Sequence, residues 1–140
     1  MSSAFAFRGR ARGYRLLGNS RFSRATGRQA VVEIQNEFPG LDVLFNNAGV
    51  QYNYQFTSTV IPLDKIQKEI TINLTGHILL TQLLIPILSN SQNALIVNTT
   101  SGLGAFPKMD GLVYSASKAA IAIMIWRFML GPAYSSSMMN

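Results

Sequence analysis

The chain has 140 residues, with twelve Lys and Arg, six Asp and Glu, one His and no Cys, and 48% of it is hydrophobic. This length suits one ordinary domain, and the apolar content excludes an acidic or highly charged disordered chain. The lack of cysteine excludes disulfide scaffolds, zinc–cysteine sites and thiol nucleophiles. One histidine leaves little for a histidine-based metal site, so no metal site is predicted.

The positive charge is concentrated at the N-terminus. Residues 1–28 hold seven arginines and no acid, whereas residues 29–140 hold five basic residues and six acids. The first part therefore carries +7 and the second −1, within a net charge of +6. Residues 1–28 show no helical or strand periodicity, and we predict that this arm is unstructured.

The first predicted elements form a helix and a strand. A short amphipathic helix is predicted from Gln29 to Phe38, where Pro39-Gly40 ends it. The apolar run Leu41–Phe45 is followed by the turn-forming residues Asn46–Gly49, and this pattern is typical of a buried strand.

A long helix is predicted from about Leu63, after a polar and aromatic loop, to Leu88. Lys65 and Glu69 are expected to pair on its outer surface. His77 is interpreted as a surface or packing residue of this helix rather than a ligand. The apolar face is predicted from residues that repeat every four positions, namely Ile66, Ile70, Leu74 and Ile78, and it broadens through Leu80, Leu84 and Leu88.

A second strand and a second long helix follow. Ala94–Asn98 is a buried-strand candidate, and Tyr114–Leu130 is a helix that is apolar nearly all round and ends at Gly131-Pro132. The tail Ala133–Asn140 is expected to fray. The order strand, helix, strand, helix is typical of a parallel α/β sheet with right-handed connections.

The apolar segments are too short to indicate a membrane protein. The richest stretch, Ala119–Leu130, contains Arg127 and is shorter than the about 20 apolar residues that a span needs. No secretory signal is recognisable in the first 28 residues. We therefore expect no membrane span and a cytoplasmic location.

Tyr114 and Lys118 are four residues apart on the predicted last helix, so their side chains share one face. A nearby ammonium favours a phenolate, and the pair is therefore a candidate acid–base device. An unrelated pair of surface residues is the commoner outcome of this spacing.

Other polar candidates follow the two predicted strands or interrupt the first long helix. Ser101 lies just past the second strand, at the sheet edge where open parallel sheets bind ligands, although a serine there is more often a helix cap. Asn46–Gly49 follows the first strand, and Ala48-Gly49 allows a flat ligand to approach the main chain. Asn73 is an asparagine inside a helix, where its propensity is modest.

Four motifs in order resemble the short-chain dehydrogenase/reductase family. They are Asn46-Asn47-Ala48-Gly49, Ile72-Asn73-Leu74-Thr75-Gly76, Val97-Asn98-Thr99-Thr100-Ser101 and Tyr114-Ser115-Ala116-Ser117-Lys118-Ala119-Ala120. The resemblance extends from about Phe38 to Ile125. It implies an α/β fold with a partial Rossmann-like, doubly wound parallel sheet that has only the central strands and helices.

The resemblance also implies roles for the candidate residues. Tyr114 resembles the proton donor in carbonyl reduction, and Lys118 the residue that holds the nicotinamide ribose. Ser101 resembles the hydroxyl that polarises the substrate oxygen, and Asn73 the residue that anchors a water in the proton path. Asn46, Asn47, Ala48 and Gly49 resemble the segment that lines the adenosine side of NAD or NADP.

The glycine-rich phosphate turn of the family, Thr-Gly-x-x-x-Gly-x-Gly, is absent, because no glycine follows Thr26-Gly27 until Gly40. The residue that selects NAD or NADP is absent with it. The chain therefore resembles a family member truncated at both ends, and we expect this 140-residue chain alone to be impaired or inactive.

Three interpretations of residues 1–28 remain open. We favour non-native coding sequence, as after a frameshift or misplaced start, because the composition changes where a family element should continue. A mitochondrial transit peptide fits the Arg- and Ser-rich composition without acids and would place the protein in mitochondria. An RNA- or DNA-binding arm is the third interpretation.

The predicted organisation is an arm at 1–28, a partial NAD(P)-binding domain at 29–132 and a frayed tail at 133–140. The predicted function is an oxidoreductase that interconverts a small-molecule alcohol and a carbonyl by hydride transfer, and that forms a homo-oligomer in the complete protein. The alternative is a non-catalytic, arginine-armed nucleic-acid-binding or interaction protein. No specific nucleic-acid partner is expected under the first hypothesis.

Overall fold

A computed structural model describes residues 3–7, 14–18, 24–37, 40–58, 60–91 and 94–129. It contains four strands, four α-helices, one π-helical turn and two short 3₁₀ turns. The elements in chain order are β1 (Ser3–Phe7), β2 (Tyr14–Gly18), α1 (Arg24–Glu37), β3 (Val43–Asn46), α2 (Leu63–Ile70), the π-helical turn (Thr71–Thr75), α3 (Gly76–Leu88), β4 (Leu95–Asn98), 3₁₀ turns at Gly102–Gly104 and Met109–Gly111, and α4 (Leu112–Met129). The predicted α/β order from β3 onward is confirmed, while the predicted tail 133–140 lies outside the described residues.

The sheet is mixed rather than wholly parallel. Its strand order is β2-β1-β3-β4, and β3 and β4 are parallel, with Asn46 opposite Asn98. β1 pairs antiparallel with both β2 and β3. The parallel pair of β3 and β4 is the predicted one, and the antiparallel hairpin of β1 and β2 beside it was not predicted.

The prediction that residues 1–28 are unstructured is wrong for the two segments that form β1 and β2 and for residues 24–28. Those last five residues belong to α1, which begins at Arg24 rather than at the predicted Gln29. Large aromatic and small residues alternate in Ser-Ala-Phe-Ala-Phe of β1, and this period of two suits a strand. Its backbone pairs with β3, so tertiary pairing stabilises a segment whose composition resembles that of a disordered arm. The arm's Arg8, Arg10, Arg12 and Arg21 lie outside the described residues.

The main core lies where α1 and α3 pack on β3. Leu44 of β3 is 0% exposed and contributes to this core. The other members of the buried cluster are Val31, Ile34, Leu41, Leu80, Leu84, Ile87 and Leu88. This packing fixes α3 over the carboxyl end of β3, where the candidate site lies.

The continuous helix from Leu63 to Leu88 is long and apolar enough to cross a membrane by length and composition alone. It has 26 residues, and 44% of its most apolar window is buried within the fold. Core helices of globular proteins have the same properties, so the expected absence of a membrane span stays a prediction.

Candidate active site

Lys118 lies at the centre of the candidate site, on the second turn of α4. Its side chain is 2% exposed, and Nζ donates a hydrogen bond of 2.8 Å to the carbonyl oxygen of Thr99, just past β4. Nζ also lies 5.7 Å from the centroid of the Tyr114 ring. Burial lowers the pKa of Lys118. The structure thus brings Tyr114 and Lys118 together at the carboxyl end of the sheet, as their spacing predicts.

Gly49 and Asn73 complete the surroundings of this ammonium group. A Cβ atom added to Gly49 would lie 3.6 Å from Lys118 Nζ and 3.8 Å from Asn73 Oδ1. Both groups are therefore in contact distance of the same backbone position. Three of the predicted site residues, from three separate elements, converge here.

Asn73 is 0% exposed and is held on three sides. Its Oδ1 accepts a hydrogen bond of 2.8 Å from the Val50 N–H, and its Nδ2 donates to the Val50 carbonyl at 2.8 Å. Nδ2 also donates to Ser117 Oγ at 3.1 Å, and that hydroxyl donates to the carbonyl of Tyr114 at 2.7 Å. The side chain thereby ties the loop after β3 to α4. The predicted role in anchoring a water stays a prediction.

The segment Asn46–Gly49 divides into supporting and accessible residues. Asn46 and Ala48 are 0% exposed, so they support the site without offering surface to a ligand. Asn46 Nδ2 donates to Thr81 Oγ1 at 2.8 Å and to Asn98 Oδ1 at 2.7 Å. Asn47 is exposed, and its Oδ1 accepts a hydrogen bond of 2.8 Å from Thr99 Oγ1. Asn47 and Gly49 are the members of this motif that a cofactor can touch.

Ser101 caps the first 3₁₀ turn, which was the commoner outcome considered for it. Its Oγ accepts a hydrogen bond of 3.2 Å from the Leu103 N–H, and the hydroxyl proton stays available for another acceptor. No hydrogen bond within the described ranges joins Ser101 to Tyr114. The turn is nevertheless held close to Lys118, because a Cβ atom at Gly104 would lie 2.9 Å from the Ala119 nitrogen.

His77, interpreted from the sequence as a surface or packing residue, is buried. It is 0% exposed, and neither ring nitrogen has a hydrogen-bond partner. Burial, together with the Lys118 ammonium, lowers the pKa of His77 to about 4. The main chain of Ala48 acts on this pKa in the opposite direction, although neither ring nitrogen of His77 forms a hydrogen bond.

The expectation that Glu69 pairs with Lys65 on the outer surface is wrong. Glu69 is 0% exposed, and its Oε1 accepts a hydrogen bond of 3.3 Å from the Tyr52 N–H. Its Oε2 has no partner. Burial raises the pKa of Glu69, and the bond from Tyr52 opposes that shift. Lys65 instead lies 5.9 Å from the ring centroid of Tyr52.

Together these residues can transfer a proton at a buried, positively charged position on the sheet edge. Tyr114 and Lys118 of α4 supply a phenol and a fixed charge, and Ser101 supplies a hydroxyl at the start of the 3₁₀ turn that packs against α4 at Ala119. In the described part of the chain, no three His, Asp or Glu side chains are grouped as a metal site would require.

The family model described as short chain dehydrogenase matches residues 18–130. The chain belongs to the short chain dehydrogenase family. The oxidoreductase DltE of Bacillus subtilis is 39% identical to it over 85 residues, which are 61% of this chain and 34% of that protein. The human 17-beta-hydroxysteroid dehydrogenase type 3 is 34% identical over 90 residues, covering 63% of this chain and 29% of that protein.

Solved structures of the family share the fold. A short chain dehydrogenase from Shigella flexneri, complexed with NADP, superposes with a TM-score of 0.69 at 27% identity, over 77% of this chain and 45% of that one. An NAD⁺-bound xylitol dehydrogenase superposes with a TM-score of 0.66 at 28% identity, over 73% of this chain and 39% of that one. The chain therefore spans about a third of these curated relatives, at 34% and 29% of their lengths.

Proposed function

We propose that the chain carries the catalytic part of an NAD(P)-dependent oxidoreductase that interconverts a carbonyl and an alcohol by hydride transfer. The observation that carries the proposal is the buried Lys118 ammonium, which is fixed by the Thr99 carbonyl and faces both the Tyr114 ring and Gly49. Membership of the short chain dehydrogenase family supports the same reaction class. The comparisons give no support to the nucleic-acid-binding alternative.

Each polar group has a chemical task in this reaction. Tyr114 gives its proton to the substrate oxygen during reduction and takes it back during oxidation. The fixed charge of Lys118 favours the phenolate that remains. Ser101 can donate its free hydroxyl proton to the same substrate oxygen while its Oγ still caps Leu103.

The residues present fit the nicotinamide end of the cofactor, which supplies the hydride when it is bound. The Lys118 ammonium has three N–H donors, of which one is used by Thr99, so it can also bond a ribose hydroxyl. Asn47 and Gly49 give the accessible surface beside it. The pyrophosphate end is different, because the sequence lacks the glycine-rich turn. We therefore expect this chain to bind NADH or NADPH no tighter than millimolar.

The remaining properties are proposals that rest on the resemblance and the composition. The substrate is a small secondary alcohol or ketone, the complete protein is a homo-oligomer, and its location is cytoplasmic. Relatives are named for hydroxysteroids and for 3-oxoacyl-CoA esters, and both are carbonyl or alcohol substrates.

The test of catalysis separates the proton donor from cofactor binding. Residues 38–125 replace the matching segment of the 3alpha-hydroxysteroid dehydrogenase of Mediterraneibacter gnavus, which is 30% identical to this chain over 94 residues. The chimera is expected to oxidise a 3alpha-hydroxysteroid. Tyr114→Phe is expected to lower kcat by about 10²–10⁴-fold, because the ring remains but the exchangeable proton is lost.

Cofactor affinity is the control for this variant. NADH titration should give the same dissociation constant for the Tyr114→Phe chimera as for its parent. A chimera that binds cofactor but has no turnover, or a Tyr114→Phe chimera with full kcat, contradicts the proposed function.

A further inference from the structure

The segment that leaves β3 runs alongside the long helix and meets it at every second residue. Asn46 contacts Thr81. The same register, two residues along the segment for four along the helix, sets Ala48 opposite His77, in agreement with the effect of the Ala48 main chain on the pKa of His77. Val50 bonds to Asn73, and Tyr52 bonds to Glu69. We call these four helix side chains, with residues 46–52, the polar ladder. Its helix members, Glu69, Asn73, His77 and Thr81, are each 0–1% exposed.

The spacing of the ladder follows from the geometry of its two sides. Four residues of an α-helix advance by about 6 Å along its axis. Two residues of an extended chain advance by about 6.6 Å. A helix side chain at every fourth position can therefore meet an extended segment at every second residue. The two sides stay in register over the four contacts of the ladder, which we call its rungs.

The π-helical turn corrects the remaining mismatch in direction. Four α-helical residues rotate about 40° more than one full turn. Over the three steps from Glu69 to Thr81, the direction of the helix side chains would therefore turn by about 120°. The π-helical turn Thr71–Thr75 lies between Glu69 and His77 and contains Asn73. A π turn has more residues in each turn than an α-helix, and so it removes much of this rotation. The four helix side chains of the polar ladder therefore stay directed at residues 46–52.

The rungs differ in how well they are bonded. Asn73 makes three hydrogen bonds, and Thr81 accepts one at 2.8 Å. Glu69 makes one long bond and has a free oxygen, and His77 has two free ring nitrogens. Buried polar groups in folded proteins nearly always have partners. The two weakly bonded rungs are also the two titratable ones.

We propose that Glu69 and His77 are positioning residues that hold the main chain of residues 48–52 and thereby set Gly49 against Lys118. This inference rests on the proposed function in one respect, namely that Gly49 is part of the surface that contacts the cofactor. His77, as a neutral imidazole donor, reaches the Ala48 carbonyl through one bridging water. Glu69 holds the Tyr52 amide.

Charge explains why the imidazole must be neutral. Lys118 on α4 is the charged group that acts on His77 among the described residues, and a second cation beside it would be repelled. At the other titratable position, burial together with the charge of Glu69 raises the pKa of Tyr54, whose hydroxyl is buried without a partner. Tyr52 and Asp64 also raise the pKa of Tyr54. Protonation of His77 would place a second positive charge beside the Lys118 ammonium.

The first test uses the 140-residue chain and measures amide hydrogen exchange by NMR. Glu69→Leu should make the Tyr52 amide exchange about tenfold faster or more, because its acceptor is removed. Glu69→Gln should restore protection, since the amide oxygen also accepts a hydrogen bond. Gln82→Leu is the matched control, at an exposed position of α3. Unchanged exchange at Tyr52 in Glu69→Leu would overturn the role of Glu69.

A wild-type measurement keeps this test valid if Glu69→Leu does not fold. The chemical shift of the Tyr52 amide proton should follow the ionisation of Glu69 with pH and should lose that titration in Glu69→Gln. A Tyr52 amide that does not titrate overturns the same assignment.

The second test uses the fact that the chain has a single histidine. In ¹⁵N-histidine-labelled protein, the imidazole should show one neutral tautomer from pH 8 to pH 5, with a slowly exchanging N–H proton. A midpoint near the ordinary value of about 6.5, with averaged tautomers, would overturn the role of His77. Neither NMR readout needs turnover, so failure of the proposed reaction leaves both interpretable.

The final readout is at Gly49 itself. His77→Leu and Glu69→Leu should shift the Gly49 amide resonance, and His77→Gln and Glu69→Gln should return it towards the wild-type position. A Gly49 resonance that is the same in the Leu variants would show that the ladder does not position this residue.

Discussion

The long helix has two faces that reverse the usual rule of burial. Its polar face, with Glu69, Asn73, His77 and Thr81, is 0–1% exposed. In its most regular apolar row, Ile66, Ile70 and Leu74 are only half-buried and Ile78 is 42% exposed. The difference shows that this helix is oriented by what the segment after β3 requires, and that hydrophobic burial is provided mainly further along, at Leu80, Leu84 and Leu88.

The strongest way to break this contrast is Asn73→Leu. The variant removes three hydrogen bonds and leaves both main-chain groups of Val50 without side-chain partners. We expect it to destabilise the fold by about 3–5 kcal/mol, which is typical of a disrupted buried network. Urea denaturation checks this, and a loss below about 1 kcal/mol would show that the buried polar face is dispensable.

The next effect is a pH dependence at His77. Its pKa is about 4 in the folded protein and 6.5 when unperturbed, so the unfolded chain binds more protons between these values. The free energy of unfolding should therefore fall as pH decreases from 6.5 to about 4, by up to about 3 kcal/mol.

The comparison with His77→Gln isolates this contribution. Glu69 acts in the opposite sense, because its raised pKa gives stability that is lost as the pH rises through its folded value. Subtracting the unfolding free energy of His77→Gln from that of the wild-type chain at each pH removes the contribution of Glu69, which both proteins share. A difference that does not vary between pH 4 and pH 7 would contradict the assignment.

A smaller effect is expected from Thr81→Val, which keeps the shape of the side chain and removes one acceptor. Asn46 Nδ2 then keeps its bond to Asn98 Oδ1 but loses the one to Thr81. We expect a loss of about 1–2 kcal/mol in thermal or urea unfolding. A neutral result would mean that the Asn98 bond alone fixes Asn46.

The smallest effect should come from the apolar row. Ile78→Thr changes a side chain that is 42% exposed, so the expected loss of stability is within about 0.5 kcal/mol. A much larger loss at a concentration-independent midpoint would show that Ile78 belongs to the core. This result would remove the contrast between the two faces.

The sequence predicts well those elements whose signals are local. β3, β4 and α4 follow from apolar runs and breakers, and the i,i+4 spacing of Tyr114 and Lys118 holds in the structure. β1 and β2 were missed because the composition of the arm encodes neither the pairing of β1 with the distant strand β3 nor the pairing of β2 with β1. The apolar repeat identified the helix correctly. It also identified the buried residues Leu80, Leu84 and Leu88, but it included Ile78, which is 42% exposed.

The candidate site was predictable in its residues more than in their tasks. Motif order brought Asn73, Gly49 and Lys118 together, as the structure does. Within the motif Asn46–Gly49, Asn46 and Ala48 are buried whereas Asn47 and Gly49 are accessible. No local sequence pattern reveals this division. Glu69 read as a surface ion-pair partner because its true partner, the Tyr52 amide, is a main-chain group and leaves no mark in the sequence.

The π-helical turn has a consequence for how such chains can vary in length. An insertion of one residue into an α-helix rotates everything after it by about 100°. At Thr71–Thr75 the extra residue is absorbed within the wide turn, so the side chains before and after it keep their direction. A homologue with one residue fewer here would present the same four groups on a regular helix, at intervals of three, four and four. Alignments should therefore admit a gap inside this helix, where gaps are ordinarily forbidden.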